Sequence, residues 1–79
     1  MNAIIERQVG NNIRCIREDA GITQDVLSAK LQLRGCDITR SAVAKIEVGQ
    51  RHLYPDEIIL IKEILGTDFD SIFYGKAKS

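Results

Sequence analysis

Ile5, Val9, Ile13, Ile16 and Ala20 recur at steps of four, four, three and four residues, the spacing that lines one face of a helix. That first helix runs to Gly21, a residue suited to end it because left-handed dihedrals carry no Cβ penalty there. Thr23 offers a capping hydroxyl to a second helix, Gln24 and Asp25 fill its first turn, and Leu27 and Leu31 stand four apart on one side. The second helix spans about Gln24 to Leu33 or Arg34 and stops at Gly35, after which Cys36 and Asp37 form a turn.

Thr39 caps a third helix, and Ile38 before it can pack on Val43 as a hydrophobic staple that sets how the chain enters. Gly49 closes that helix, and residues Gln50 to Tyr54 read as a loop. Pro55, Asp56 and Glu57 make a first turn that suits both proline geometry and the helix dipole. The fourth helix turns Ile58, Ile61, Ile64 and Leu65 inward and stops at Gly66. A short fifth helix from Asp68 turns Phe69, Ile72 and Phe73 inward and ends at Gly75, which leaves 76–79 as a flexible tail. No segment alternates polar and apolar residues over strand length. The pattern therefore predicts an all-α fold, a compact five-helix domain over residues 1–75.

A chain of 79 residues holds one domain of about the size that buries roughly 60% of its unfolded surface, so a modest core must suffice. No apolar run approaches a membrane span, and Met1 to Arg7 lacks the basic start and long apolar middle of a secretory signal, which points to a cytoplasmic chain. Cys15 and Cys36 stand apart without a CxxC pair and with only one histidine, too few ligands for a zinc site. Metals and cofactors are not expected. Both cysteines read as structural or incidental, since cytosolic chains rarely keep a disulfide. No Ser/His/Asp, Cys/His or paired-carboxylate arrangement stands out and no glycine-rich phosphate loop is present, so no catalytic residue is assigned and an enzyme ranks last.

Eleven basic and eleven acidic residues leave no formal net charge, yet the charge is unevenly spread. Lys30 to His52 holds five basic residues against two acids, a net of +3, whereas Leu53 to Tyr74 holds one base against five acids, a net of −4. Such polarity focuses positive potential on one part of the surface. On a wheel of about 100° per residue with Arg40 at zero, Ala42, Val43 and Ile46 fall between about 200° and 300°, while Arg40, Ser41, Ala44, Lys45 and Val48 fall between about 0° and 140°. One face of the third helix is core; the other is basic and small. Arg and Lys can donate to guanine O6 and N7, serine is adaptable, and alanine permits close approach, which together suit a reader of the DNA major groove.

The order and spacing of these pieces resemble the helix-turn-helix domains of the lambda-repressor and Cro type, the xenobiotic response element family. The resemblance covers roughly Val9 to Gly75. It rests on Arg17 in the first helix, Gly21-Ile22-Thr23-Gln24 opening the second, Leu27 and Leu31, Ile46-Glu47-Val48-Gly49-Gln50-Arg51 closing the third, and the later Leu65-Gly66 and Ile72-Phe73. It implies a lambda-repressor-like DNA-binding domain with the helix-turn-helix at the second and third helices and a recognition helix over about 39–48 in the major groove. Arg40, Ser41, Ala44 and Lys45 would face bases. Gln24, Thr39, Gln50, Arg51 and His52 would face phosphates. Arg17 and Glu47 would form an internal ion pair that orients the first helix on the third.

The chain departs from that family in two places. Gln24 to Glu47 spans five residues more than the common spacing, with the surplus in Gln32 to Asp37, which either extends the second helix or enlarges the turn. Ser28 stands where the family prefers alanine at a close helix crossing. The leading expectation is a sequence-specific regulator of transcription that binds double-stranded DNA as a homodimer on two half-sites, with the fourth and fifth helices as the dimer surface. Ile58, Ile59, Leu60, Ile61, Ile64 and Leu65 exceed what one core stripe requires, and Ile59 or Leu60 is the member expected outside. The competing expectation is a protein-binding module on the same fold, an antitoxin or accessory regulator whose partner covers the fourth helix.

Overall fold

The computed structural model describes residues 3–75, so the tail expected at 76–79 lies outside the described residues. Five helices follow in order: α1 (Ala3–Asp19), α2 (Gln24–Leu33), α3 (Arg40–Glu47), α4 (Pro55–Leu65) and α5 (Phe69–Tyr74). Among the described residues there is no strand. The fold is all-α, as the residue pattern predicts.

Three of the helices begin at a side-chain cap. Thr23 and Thr39 each accept a hydrogen bond from the third residue on, at 3.1 Å, and the Asp68 carboxylate accepts from the Ser71 N–H at 2.7 Å. Each bond satisfies a backbone donor that the helix itself leaves open. α1 packs on α3 and α5, and α2 packs on α3 and α4. Between them lies one core that includes Ile13, Leu27, Leu31, Ile38, Val43, Ile61 and Ile72, all but fully buried.

The surplus between α2 and α3 is divided between helix and loop. α2 continues to Leu33, and the Cys36 N–H donates back to the Leu31 carbonyl at 2.9 Å to close it. The loop then turns inward, burying Cys36 and Ile38. Ser28 Oγ donates to the Ile38 carbonyl at 2.7 Å, and Gln32 Nε2 reaches the same oxygen at 3.2 Å. Serine therefore does at this crossing what alanine cannot: together with Gln32 it satisfies the Ile38 carbonyl of a loop that turns inward. Arg34 forms an ion pair with Glu63 and so ties the same loop to α4. Burial pushes the Cys36 thiol up, as do the nearby acids Glu57 and Asp56, so it stays protonated and packs as a small apolar group.

Two glycines permit the contact of α1 with the α3 end. A Cβ on Gly10, in mid-helix, would stand 2.1 Å from the Ile46 carbonyl oxygen, and one on Gly49 would stand 2.9 Å from the Arg7 Cα. Gly49 also holds φ at 78°, a left-handed backbone that ends α3. A mid-helix glycine costs about 1 kcal/mol relative to alanine, and close approach of two backbones is what offsets it here.

α5 is less buried than its composition predicts. Ile72 is fully enclosed, but Phe69 and Phe73 remain 41% and 40% exposed. A six-residue helix can turn only one narrow stripe inward, and Ile72 occupies it. The two rings instead lie against each other, centroids 6.3 Å apart, with the Lys62 ammonium 5.2 Å from the Phe69 ring. On α4, Ile59 is the outward residue at 46% exposure and Leu60 is half-buried.

Gly10→Ala gains helix propensity but forces α1 from α3, and overpacking of this kind costs about 1 to 3 kcal/mol. At this chain size the expected outcome is a fall in Tm of roughly 10 °C by circular dichroism. An unchanged or raised Tm would contradict the close crossing.

Candidate nucleic-acid interface

Helix α3 divides cleanly. Val43, Ile46 and Glu47 are buried, Ala42 and Ala44 half-buried, and Arg40, Ser41, Lys45 and Val48 exposed. Ala44 thus forms the floor between flanking polar side chains. Thr39 holds the amino end, where its hydroxyl is occupied by the Ala42 N–H. The Arg40 Nε lies 3.5 Å from Asp25 Oδ1 in the first turn of α2, both side chains being well exposed. A pair so solvated is worth at most about 1 kcal/mol, so it keeps Arg40 near the face without withdrawing it.

Behind this face lies a buried charge network. Arg17 Nε donates to Glu47 Oε2 at 2.6 Å and Arg17 Nη2 to Glu47 Oε1 at 3.1 Å, while Nη1 donates to the Ile22 carbonyl at 2.7 Å. Gln24 Nε2 donates to Glu47 Oε1 at 3.0 Å. The hydrogen bond to Glu47 is the main reason the guanidinium holds its proton more tightly than usual, and it outweighs burial, which acts the other way. The network joins α1, the α1–α2 turn, the first residue of α2 and the last of α3. One amide hydrogen of Gln24 is used internally, and its second, with the open N–H groups of the α2 amino end, remains for an anion.

The loop after α3 is fastened differently. Arg51 Nη1 and Nη2 donate to the two Glu57 oxygens at 2.9 and 3.1 Å, and Nη1 also donates to the His52 carbonyl at 2.9 Å. The Glu57 carboxylate further accepts from the Tyr54 N–H at 3.1 Å, which starts α4. His52 Nδ1 lies 2.8 Å from Glu6 Oε2 on α1, with the ring edge-on to Tyr54. Gln50 is exposed, and its N–H is bonded to the Lys45 carbonyl at 2.8 Å. Of the three loop residues assigned to phosphate from the sequence, Gln50 alone has its side chain outside such a bond. Arg51 and His52 hold the loop to α4 and α1, and nothing in the spacing of Arg51 and Glu57 across a proline-led helix start announces their pairing.

A helix-turn-helix family model matches residues 13–72. The chain belongs to the helix-turn-helix family of the lambda-repressor and Cro type. Neither a curated protein nor a solved structure matches it. The family's trade is DNA binding and regulation of transcription, and α2 and α3 supply its two signature helices. The family match begins within α1, so residues 3–12 of that helix lie ahead of it. No helix among the described residues is long and apolar enough to cross a membrane.

Glu47→Gln leaves the Arg17 charge buried without its counter-ion, which costs about 3 to 5 kcal/mol, and a double variant Arg17→Met/Glu47→Leu recovers part of that loss. Urea denaturation checks both; a single variant as stable as the parent would refute the network's role. A second prediction concerns acid. Burial raises the Glu57 carboxyl, but the Arg51 guanidinium and the Tyr54 N–H outweigh it and bring the group below its ordinary 4.5. Its folded pKa lies below the unfolded one, so the stability it confers is present above pH 4.5 and drains as pH falls through the folded value. Glu57→Gln should be less stable than the parent at neutral pH and lose less stability on acidification. Parallel pH profiles would contradict this.

Proposed function

We propose that the protein is a cytoplasmic, sequence-specific regulator of transcription that lays α3 in the major groove of double-stranded DNA. The observation that carries this reading is the outward face of α3, where Arg40, Ser41 and Lys45 surround a half-buried Ala44 beside the open amino end of α2. Arg40 and Lys45 donate to base edges, Ser41 adapts to either partner, and Ala44 lets the helix sit close. Gln24, held in register by Glu47, and the α2 amino end bind one phosphate strand. Thr39 and Gln50 contact the backbone at the two ends of α3. Arg51 and His52 act one step back, by shaping the loop that presents Gln50.

The regulator works as a homodimer, because one α3 touches too few bases for high specificity. Two copies related by a two-fold axis would read half-sites about 34 to 36 Å apart. Ile59 on α4 and Phe69, Phe73 and Tyr74 on α5 are exposed on the two helices assigned to that contact and supply its apolar component. The same residues favour a second reading, a protein-binding module of antitoxin or accessory-regulator type, in which a different chain covers them.

Selection from a random duplex library at two salt concentrations tests the reading. Recovery of a repeated or palindromic motif whose binding weakens with salt supports it, and no enrichment at low salt overturns it. At the selected site Arg40→Ala should lose about 1 to 3 kcal/mol and relax the preference at one base position. Equal binding of parent and variant across all single-base changes in the site would remove Arg40 from base reading.

A further inference from the structure

Two shallow grooves open on the outward side of α3 and meet across the Arg17–Glu47 pair. The first, at the Arg40 end, is bounded by Glu18, Thr23, Gln24 and Asp25, the α2 amino end already assigned to phosphate. The second, at the Val48 end, is lined by Arg7, Gln8, Asn11 and Arg14 of α1 together with Val48 and Gln50. Arg7, Asn11, Arg14 and Glu18 follow at steps of four, three and four, so they form one stripe along α1. That stripe adjoins the Gly10 face packed on Ile46, and Glu18 at its end lies in the first groove with Arg40. It therefore faces the same side as the base-reading residues.

The chemistry of the stripe is that of a phosphate rail. It offers two guanidinium groups and the side-chain amides of Gln8, Asn11 and Gln50, all exposed donors suited to sugar-phosphate oxygens. Arg14 is half engaged by Glu18 at 3.2 Å in an exposed pair, whereas Arg7 forms no ion pair among the described residues. Arg7 and Arg14 stand about 10 Å apart along the helix, the rise of roughly three steps of one DNA strand. Arg7 and Asn11 precede the family match at residue 13, while Arg14, Val48 and Gln50 of the same groove lie within it. Gly49 brings the amino-terminal turns of α1 against the end of α3, its α-carbon side open to the Arg7 backbone.

We infer that the Arg7–Asn11–Arg14 stripe of α1 binds the DNA phosphate backbone beside the carboxyl end of α3, as a second, sequence-independent contact opposite the α2 amino end. The inference rests on the docking of α3 proposed above. It makes Arg7 a source of affinity rather than of sequence preference.

The test is fluorescence anisotropy with a labelled duplex of scrambled sequence, titrated between about 50 and 200 mM salt. Each phosphate contact contributes about 0.9 to the slope of log affinity against log salt. Arg7→Gln should lower the slope by about that amount and weaken binding roughly five- to tenfold at about 0.1 M salt. Arg7→Lys should keep the slope, and Lys30→Gln, the same charge change at an exposed position of α2, should leave it unaltered. Circular dichroism verifies that each variant folds. If the parent binds DNA with a salt slope that Arg7→Gln does not change, the rail is wrong and the docking of α3 stands. An equal fall with Lys30→Gln would mean net charge alone is read, which also overturns the rail. If the parent binds no duplex, both readings fall.

Discussion

The pair of Arg17 and Glu47 is the interaction on which the geometry of the candidate DNA-facing side of α3 depends. It lies where α1, α2 and α3 converge, and each charge is paid out in full to the other and to neighbouring polar groups: Glu47 accepts from Arg17 twice and from Gln24, and Arg17 also satisfies the Ile22 carbonyl. Two charges removed from water gain little net stability from each other when their desolvation is counted. What they gain is direction. Any rotation of α3 about its axis separates Glu47 from a fork-shaped guanidinium with narrow angular tolerance, so the helix is held with Arg40, Ser41 and Lys45 outward.

Around that pair the chain uses two different devices to bring helices close. On the α1 side it removes side chains, placing Gly10 against the Ile46 carbonyl and Gly49 against Arg7. On the α2 side it adds polar ones, with Ser28 and Gln32 both donating to Ile38 so that an enlarged connection can be buried. The loop after α3 then relies on side-chain clamps, Arg51 on Glu57 and His52 beside Glu6. The surplus residues between α2 and α3 are absorbed in the loop and the last turn of α2, leaving α2 and α3 in contact and both caps intact.

Much of this was legible in the residue order. The helix limits could be read from Thr23, Thr39 and Pro55 at the starts and from the glycines at the ends, because caps and left-handed stops are local and depend on neighbours only a few positions away. The inward face of α3 followed from periodicity for the same reason. The inward assignment of Phe69 and Phe73 failed because hydrophobicity ranks residues without saying how much of a six-residue helix its neighbours can cover. The role of Arg51 was likewise hidden, since a basic residue after a recognition helix looks the same whether it meets phosphate or a carboxylate six positions on.

The sequence by itself determined five helices, their order, the polarity of α3 and the family to which the chain belongs, all of which depend on short-range pattern and capping chemistry. Only the tertiary structure decided which cations stay available to a ligand. Arg17 and Arg51 are drawn into carboxylates on other elements, Arg40 keeps a loose exposed partner, and Arg7 is brought to the border of α3 by a glycine more than forty positions away. Charge pairing is settled by distance in space, and distance between residues so far apart in the chain is fixed only when the helices have packed.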